Sequence, residues 1–395
     1  MRSLLVALSL AAVFVAACGG DGGSGPVAPP SVPTGLRAEG ALGVITLAWD
    51  ASSGTNLAGY NIYRSSGGGF AKINASTVPG LTYQDTNVQT GVYYSYKITA
   101  VGGAESDYSS VVRQMHGTRL LGRYESDCVL EAGALSPFVA EDSVVIAGGD
   151  LEIQSGAALY VLDGAVVDFE FDSETSNRQV RVHGLLRFES SPATPAKVTA
   201  NAVDGTNMDG KGYALMLYDD SIDYNAVDGS GTLIQNCYIE SLNQGDGAVL
   251  VWSCSPRFYN CRISSSKSTG GSYFTIRPDS APTVENCYIY RVVLTIRGDL
   301  RGTGALITRN TCRSGYYSIY FSGPAGPGMV DSGQVAYNDF DGTVNGLYLF
   351  QVDEGEIPLG NNYWDGGLPA VVGGAATVDF TPELAEPPAD CGPTW

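Results

Sequence analysis

Ile234-Gln235-Asn236-Cys237-Tyr238-Ile239, Phe258-Tyr259-Asn260-Cys261-Arg262-Ile263 and Val284-Glu285-Asn286-Cys287-Tyr288-Ile289 are copies of one hexamer. Three more follow: Ile307-Thr308-Arg309-Asn310-Thr311-Cys312, Val335-Ala336-Tyr337-Asn338-Asp339-Phe340 and Leu359-Gly360-Asn361-Asn362-Tyr363-Trp364. Their fourth positions fall at 237, 261, 287, 310, 338 and 362, in steps of 24, 26, 23, 28 and 24 residues. An apolar residue stands first and sixth in nearly every copy, and Cys or Asn stands fourth. A period in this range signals a solenoid, and strand-forming composition makes it a β one.

Parallel strands from successive coils lie about 4.8 Å apart, so equivalent residues stack. The column Ile234, Phe258, Val284, Ile307, Val335, Leu359 is expected to point inward, as is Ile239, Ile263, Ile289, Cys312, Phe340, Trp364. Asn310, Asn338 and Asn362 are expected to stack in a turn, each amide satisfying the next. Cys237, Cys261 and Cys287 fill that position in the earlier coils as small, polarizable residues. Between the two inward columns runs an outward one: Tyr238, Arg262, Tyr288, Thr311, Asp339, Tyr363. Tyr faces with an Arg between them suit sugar stacking, so Tyr238, Arg262 and Tyr288 are candidate carbohydrate contacts. Tyr also covers sheets for purely structural reasons.

Upstream, Gly-punctuated segments such as Leu151-Glu152-Ile153, Gly156-Ala157-Ala158-Leu159-Tyr160-Val161 and Val180-Arg181-Val182 continue the series. Together with Gly360-Asn361-Asn362-Tyr363-Trp364 near the end, these features resemble the right-handed parallel β-helix shared by pectate lyases and many surface proteins. The resemblance covers most of residues 118 to 370, and the domain is read as 118–395. It implies an architecture and leaves the substrate open.

Thr275-Ile276-Arg277-Pro278-Asp279 and Thr295-Ile296-Arg297-Gly298-Asp299 share a pattern about one coil apart. In the pectate-lyase family an Arg acts as base, and Asp residues hold Ca²⁺ beside a uronate carboxylate. The resemblance would give Arg277 or Arg297 that role, with Asp279 and Asp299 as the accompanying carboxylates. The structural alternative is a surface Arg–Asp ladder that offsets its own charge. A second acidic group, Asp204, Asn207, Asp209, Asp219 and Asp220, supplies the oxygen ligands that Ca²⁺ prefers, and serves equally as solvated loop.

Residues 33–115 alternate in short runs between Gly, Asn and Ser turns, the pattern of a β-sandwich. Val32-Pro33, Trp49, Tyr60 and Tyr94 resemble a fibronectin type III domain, Tyr94 standing at the tyrosine corner. Such a sandwich is most often a spacer. Further upstream, Met1-Arg2-Ser3 and the apolar run to Val15 fit a secretory signal rather than a bilayer span. Val15-Ala16-Ala17-Cys18-Gly19 resembles a bacterial lipobox, with residues 1–17 removed and Cys18 acylated. Residues 18–32 then read as a flexible tether. The resemblance implies sorting to the outer membrane or cell surface.

The whole chain is all-β in composition: 51 Gly and 23 Tyr among 395 residues. With 22 Lys+Arg against 41 Asp+Glu, its formal charge is −19, which argues against nucleic acid as a partner. The same charge repels pectate or alginate unless Ca²⁺ intervenes. Two His leave no material for a His-rich metal site. Buried core thiols are expected in the repeats, and Cys128 and Cys391, outside them, are the pair that a folded-back tail could join. The leading expectation is therefore a lipid-anchored binding or adhesion protein whose coil is a rigid rod contacting a polysaccharide or surface protein. The alternative is a polysaccharide lyase or hydrolase acting on acidic glycans.

Overall fold

A computed structural model describes residues 28–133, 136–171, 178–202, 213–241, 247–265, 272–314, 316–323, 329–341, 345–352 and 354–393. All regular elements among them are strands.

From Thr118 onward the chain winds through three parallel sheets, named here in the order each coil visits them. Sheet A has nine described strands, from Thr118–Arg119 to Val335–Ala336. Sheet B has ten, from Gly122–Tyr124 to Tyr363–Asp365. Sheet C also has ten, from Cys128–Leu130 to Val371–Val372. Cys128 thus opens sheet C, inside the coil and not outside the repeats as its isolated position in the sequence suggested. Every inter-coil pairing is parallel and in register, as in Ile239↔Ile263 and Ile263↔Ile289.

The hexamer explains the corner between sheets A and B. Both expected inward columns are buried, from Ile234 to Val335 on sheet A, with Leu359 following one coil on, and from Ile239 to Trp364 on sheet B. Between them a single residue turns the chain. Asn236, Asn260, Asn286, Arg309, Tyr337 and Asn361 all have φ between +48° and +59°. Asn tolerates this left-handed conformation because its short side chain bonds locally, whereas most residues lose about 1–2 kcal/mol there. The third hexamer position therefore has its own logic, visible in the sequence only as four Asn residues among six.

The fourth position forms one continuous internal stack. Cys237 Sγ lies 3.6 Å from Cys261 Sγ, and the Cys287 backbone N–H donates to Asn310 Oδ1 at 2.9 Å. Asn338 Oδ1 accepts from the Asn310 backbone N–H and from Asn310 Nδ2, both at 3.0 Å. Asn362 Oδ1 repeats this one coil on, accepting from Asn338 N and Nδ2 at 3.0 and 3.1 Å. The three Asn side chains have no exposure at all. All seven described cysteines are free thiols, including Cys128 and Cys391. Burial pushes the Cys261 and Cys287 thiols well up, which keeps them as protonated packing groups.

The N-terminal strands form a fibronectin type III-like sandwich. Arg37–Ala41, Val44–Ala48 and Thr82–Asp85 make one sheet; Ala71–Lys72, Gly59–Ser65, Tyr94–Val101 and Val112–Gln114 make the other. Trp49 packs edge-on to Tyr60 with centroids 5.2 Å apart. The Tyr94 hydroxyl accepts from the Gln89 backbone N–H at 3.0 Å, which is the tyrosine-corner bond expected from the sequence.

Candidate functional site

Sheet C carries the longest run of outward aromatic and cationic groups. Its inner residues Val182, Leu217, Val251, Ile276 and Ile296 are in register and buried. Side chains alternate across a strand, so the next residue in each coil points out. Those residues are His183, Tyr218, Trp252, Arg277 and Arg297. His183 and Tyr218 stack at 4.3 Å with planes 10° apart. Trp252 lies 6.1 Å from Tyr218, and the Arg277 guanidinium sits over the Trp252 ring at 4.7 Å. Trp252 is 43% exposed. Asp220 Oδ1 accepts from His183 Nδ1 across 2.7 Å and so fixes the ring at the head of the ladder.

Further along the same sheet is a tyrosine patch. Tyr320 and Tyr348 are in register and stack at 5.2 Å; Tyr317 stacks on Tyr348 at 4.8 Å. Burial, then a hydrogen bond with Tyr316, pushes the Tyr317 phenol up to about 12, so it remains a proton donor at neutral pH. Sheet C thus offers flat groups in coil after coil along the axis, with hydroxyl, imidazole and guanidinium donors at their edges.

The two Arg-containing pentapeptides do lie side by side, since Thr275 pairs with Thr295 and Ile276 with Ile296. Their carboxylates go elsewhere. Asp299 binds Arg301, its own neighbour in the chain, and Asp279 occupies an exposed left-handed turn. Neither Arg277 nor Arg297 forms an ion pair among the described residues. The self-neutralising Arg–Asp ladder does not form among the described residues: Arg277 lies over Trp252, and Asp299 turns to Arg301.

On sheet B, Tyr238, Arg262, Tyr288, Thr311, Asp339 and Tyr363 stand in one column, as expected. Lys197 extends it by one coil. Arg262 lies over Tyr288 at 5.2 Å, and Lys197 over Tyr238 at 5.7 Å. Asp339 is buried rather than outward-facing solvent, because Arg313 holds it at 2.7 Å. The C-terminal tail crosses the column there: the Gly392 N–H donates to Arg309 O at 2.9 Å, and Cys391 Sγ donates to Asn310 O at 3.1 Å. Arg262, Tyr288, Thr311 and tail residues 391–393 line a groove of about 420 Å³.

Of the acidic group expected to hold Ca²⁺, only Asp219 and Asp220 are among the described residues. Asp220 is taken by His183, and among the described residues no three His, Cys, Asp or Glu side chains converge as metal ligands. Asp204, Asn207 and Asp209 lie outside the described residues, as does Cys18.

The family described as "Right handed beta helix region" matches residues 150–363, which is 214 of 395. The chain belongs to this family. The curated relatives of the β-helix protein match only short stretches. An amylopullulanase from Thermoanaerobacterium saccharolyticum is 48% identical over 84 residues, 20% of this chain and 6% of the relative. One from Thermoanaerobacter thermohydrosulfuricus is 41% identical over 96 residues, 23% of this chain and 6% of the relative. The chain thus spans about 6% of the length of these curated relatives. Among solved structures, an Fn3-like protein from Clostridium thermocellum is 32% identical over 23% of this chain and 97% of its own, with a TM-score of 0.20. A pectate lyase from Erwinia chrysanthemi, crystallised with tetragalacturonic acid, is 11% identical over 88% of this chain and 91% of its own, with a TM-score of 0.19.

His183, Tyr218 and Trp252 are the residues of this β-helix that sequence reasoning missed. Each directly follows a buried aliphatic residue at the end of a sheet C strand, in Val182-His183, Leu217-Tyr218 and Val251-Trp252. That shared context is the signal, and it continues as Ile276-Arg277 and Ile296-Arg297.

Proposed function

We propose that this protein is an exported, lipid-anchored β-helix that binds a polysaccharide along the outer face of sheet C. The observation that carries the reading is the stack His183–Tyr218–Trp252–Arg277. Sugar rings present flat C–H faces to aromatic planes and hydroxyls to donors at the plane's edge, and this ladder repeats both at the coil spacing of about 4.8 Å. Ordering costs little because neighbouring rings already hold each group in place, so binding does not have to freeze free side chains.

Trp252→Ala is expected to weaken polysaccharide binding by about 2 kcal/mol, roughly 30-fold, as for a central aromatic anchor. Affinity electrophoresis of the full chain in gels containing neutral and acidic polysaccharides measures this. Unchanged mobility shifts in Trp252→Ala, with Tyr218→Ala also silent, would remove sheet C from the function.

A second reading is favoured by Arg277 standing beside Arg297 with no carboxylate on either. It is a lyase acting on acidic glycans. Incubation with uronate polymers and Ca²⁺, followed by absorbance of unsaturated ends, distinguishes the two: the binding reading expects none, and a signal abolished by Arg277→Ala or Arg297→Ala would replace it.

The anchor rests on Val15-Ala16-Ala17-Cys18 alone. Cells expressing the full chain and fed labelled palmitate are expected to label it, and Cys18→Ser is expected to abolish the label and release the protein from the membrane fraction. Equal labelling of both would refute acylation at Cys18.

A further inference from the structure

The outer face of sheet B has a chemistry that the sheet C ladder lacks. Its column alternates cation and ring through four successive coils: Lys197, Tyr238, Arg262, Tyr288. In a chain with 41 acidic residues against 22 basic ones, a cation on a sheet surface ordinarily finds a carboxylate. Arg313, Arg257, Arg309 and Arg187 do, whereas Arg277 and Arg297 on sheet C do not among the described residues. Lys197 and Arg262 form no ion pair among the described residues and contact ring faces instead. Arg262 is exposed, and its donors stay available beside the ring of Tyr288.

The acids of this face do not cancel that charge. Asp339 is buried and bound to Arg313, which also lies 3.6 Å from Asp365. Asp168 accepts from the Thr199 hydroxyl. Glu240 is exposed one alternation away from Tyr238, in the column whose next member is Ser264.

The tail turns this open column into a concave site. Gly392 has φ +82°, and a Cβ there would come within 3.2 Å of Thr311 Oγ1. Close approach of the tail to the sheet therefore uses the absence of a side chain at that point. The resulting groove, about 420 Å³, is within the range of pockets that hold small ligands, about 300–1,000 Å³. Tyr288 stacks on Tyr290 at 5.9 Å, and Arg291 covers Tyr290 at 5.0 Å, so the ring that floors the groove is itself held.

We propose that this groove binds a sugar bearing a carboxylate or sulfate. The sugar ring lies against Tyr288, the anion pairs with Arg262, and Tyr238 with Lys197 offers the same combination to the preceding unit of the chain. An Arg fork matches a planar or tetrahedral oxyanion through two parallel hydrogen bonds. The site is distinct from sheet C and does not depend on the polysaccharide reading of that face.

The test titrates the full chain with a tetrasaccharide of alternating glucuronate and N-acetylglucosamine, and with its carboxyl-reduced counterpart, by saturation-transfer NMR. The acidic form is expected to bind at least tenfold more tightly than the reduced one, and binding is expected to fall as salt rises. Arg262→Gln and Tyr288→Ala are each expected to weaken it at least tenfold, with Arg262→Lys intermediate. Arg262 is exposed, so its variants are expected to melt as the parent does, separating lost binding from lost fold. Equal binding of the two tetrasaccharides overturns the proposal, as does binding that survives Arg262→Gln. Loss in Trp252→Ala instead would transfer the ligand to sheet C. Competition by inorganic sulfate as strong as that of the acidic tetrasaccharide would reduce the site to an anion site with no sugar recognition.

Discussion

Asn338→Ala is expected to destabilise the coil by about 3 kcal/mol or more, far beyond the loss of its side-chain volume. Asn338 is fully buried, and its amide serves three coils at once. Its oxygen accepts from both Asn310 N and Asn310 Nδ2; its nitrogen donates to Ile307 O at 2.9 Å, Ala336 O at 3.1 Å and Asn362 Oδ1 at 3.1 Å. Alanine takes the acceptor from the buried Asn310 backbone N–H and from one of the two Asn310 Nδ2 hydrogens, the other keeping Val284 O at 2.8 Å. Each orphaned buried polar group costs about 1–3 kcal/mol. Cys261→Ala, three coils earlier in the same stack, is the natural control. Its thiol makes weak bonds, to Ile234 O at 3.1 Å, Tyr259 O at 3.3 Å and Cys237 Sγ at 3.6 Å, so its loss is expected to cost about 1 kcal/mol. Urea unfolding compares the two, and native-state hydrogen exchange at the Asn310 and Asn338 amides locates the effect. Equal costs at the two positions would mean that the Asn ladder merely fills space.

The contrast between these positions also explains what could be read from the sequence. Sheets A and B meet at one left-handed residue, so no insertion fits between them without breaking the corner. The hexamer therefore keeps constant spacing, and every column inside it, from Cys237 through Asn362, could be aligned by eye. The variable lengths of the coils, 23 to 28 residues, are absorbed at the other corners. Sheet C lies beyond those corners. His183, Tyr218, Trp252, Arg277 and Arg297 are separated by 35, 34, 25 and 20 residues, a series with no visible period. Only Arg277 and Arg297 were legible as neighbours, because Thr-Ile precedes both. That Trp252 would lie beneath Arg277 needed the register of the intervening strands. Likewise Asp299 chooses Arg301, two residues away, over Arg297 on the same strand end, a competition decided by local turn geometry. Arg309 and Tyr337 hid the corner rule for a similar reason: they take a left-handed φ without the residue type that advertises it.

Trp364→Ala is expected to cost about 4 kcal/mol, the range for a fully buried large aromatic. Trp364 ends the inward column of sheet B at 1% exposure. It stacks on Phe340 at 4.9 Å and meets Phe380 edge-on at 5.3 Å. Sheet A has already changed partner at this level, since Glu356–Pro358 pairs with Thr377–Asp379 rather than with the sheet below. The indole consequently closes the end of the core where one wall of the coil has stopped. In a stack of repeats each coil is stabilised mainly by its neighbours, so opening the last one exposes Phe340 and Leu359 and lets fraying move inward. Trp364→Phe separates closure from chemistry. The Trp364 indole N–H is buried without an acceptor among the described residues, so phenylalanine removes a donor that gains nothing while keeping most of the plane. Its cost is expected below about 1.5 kcal/mol. Hydrogen exchange read coil by coil should show Trp364→Ala losing protection first over Asp339–Asp341 and Thr311–Arg313, with Cys237–Ser241 still protected. Uniform loss across all three strands would mean that the coil unfolds as one cooperative block, and that its terminal tryptophan has no special place in holding it shut.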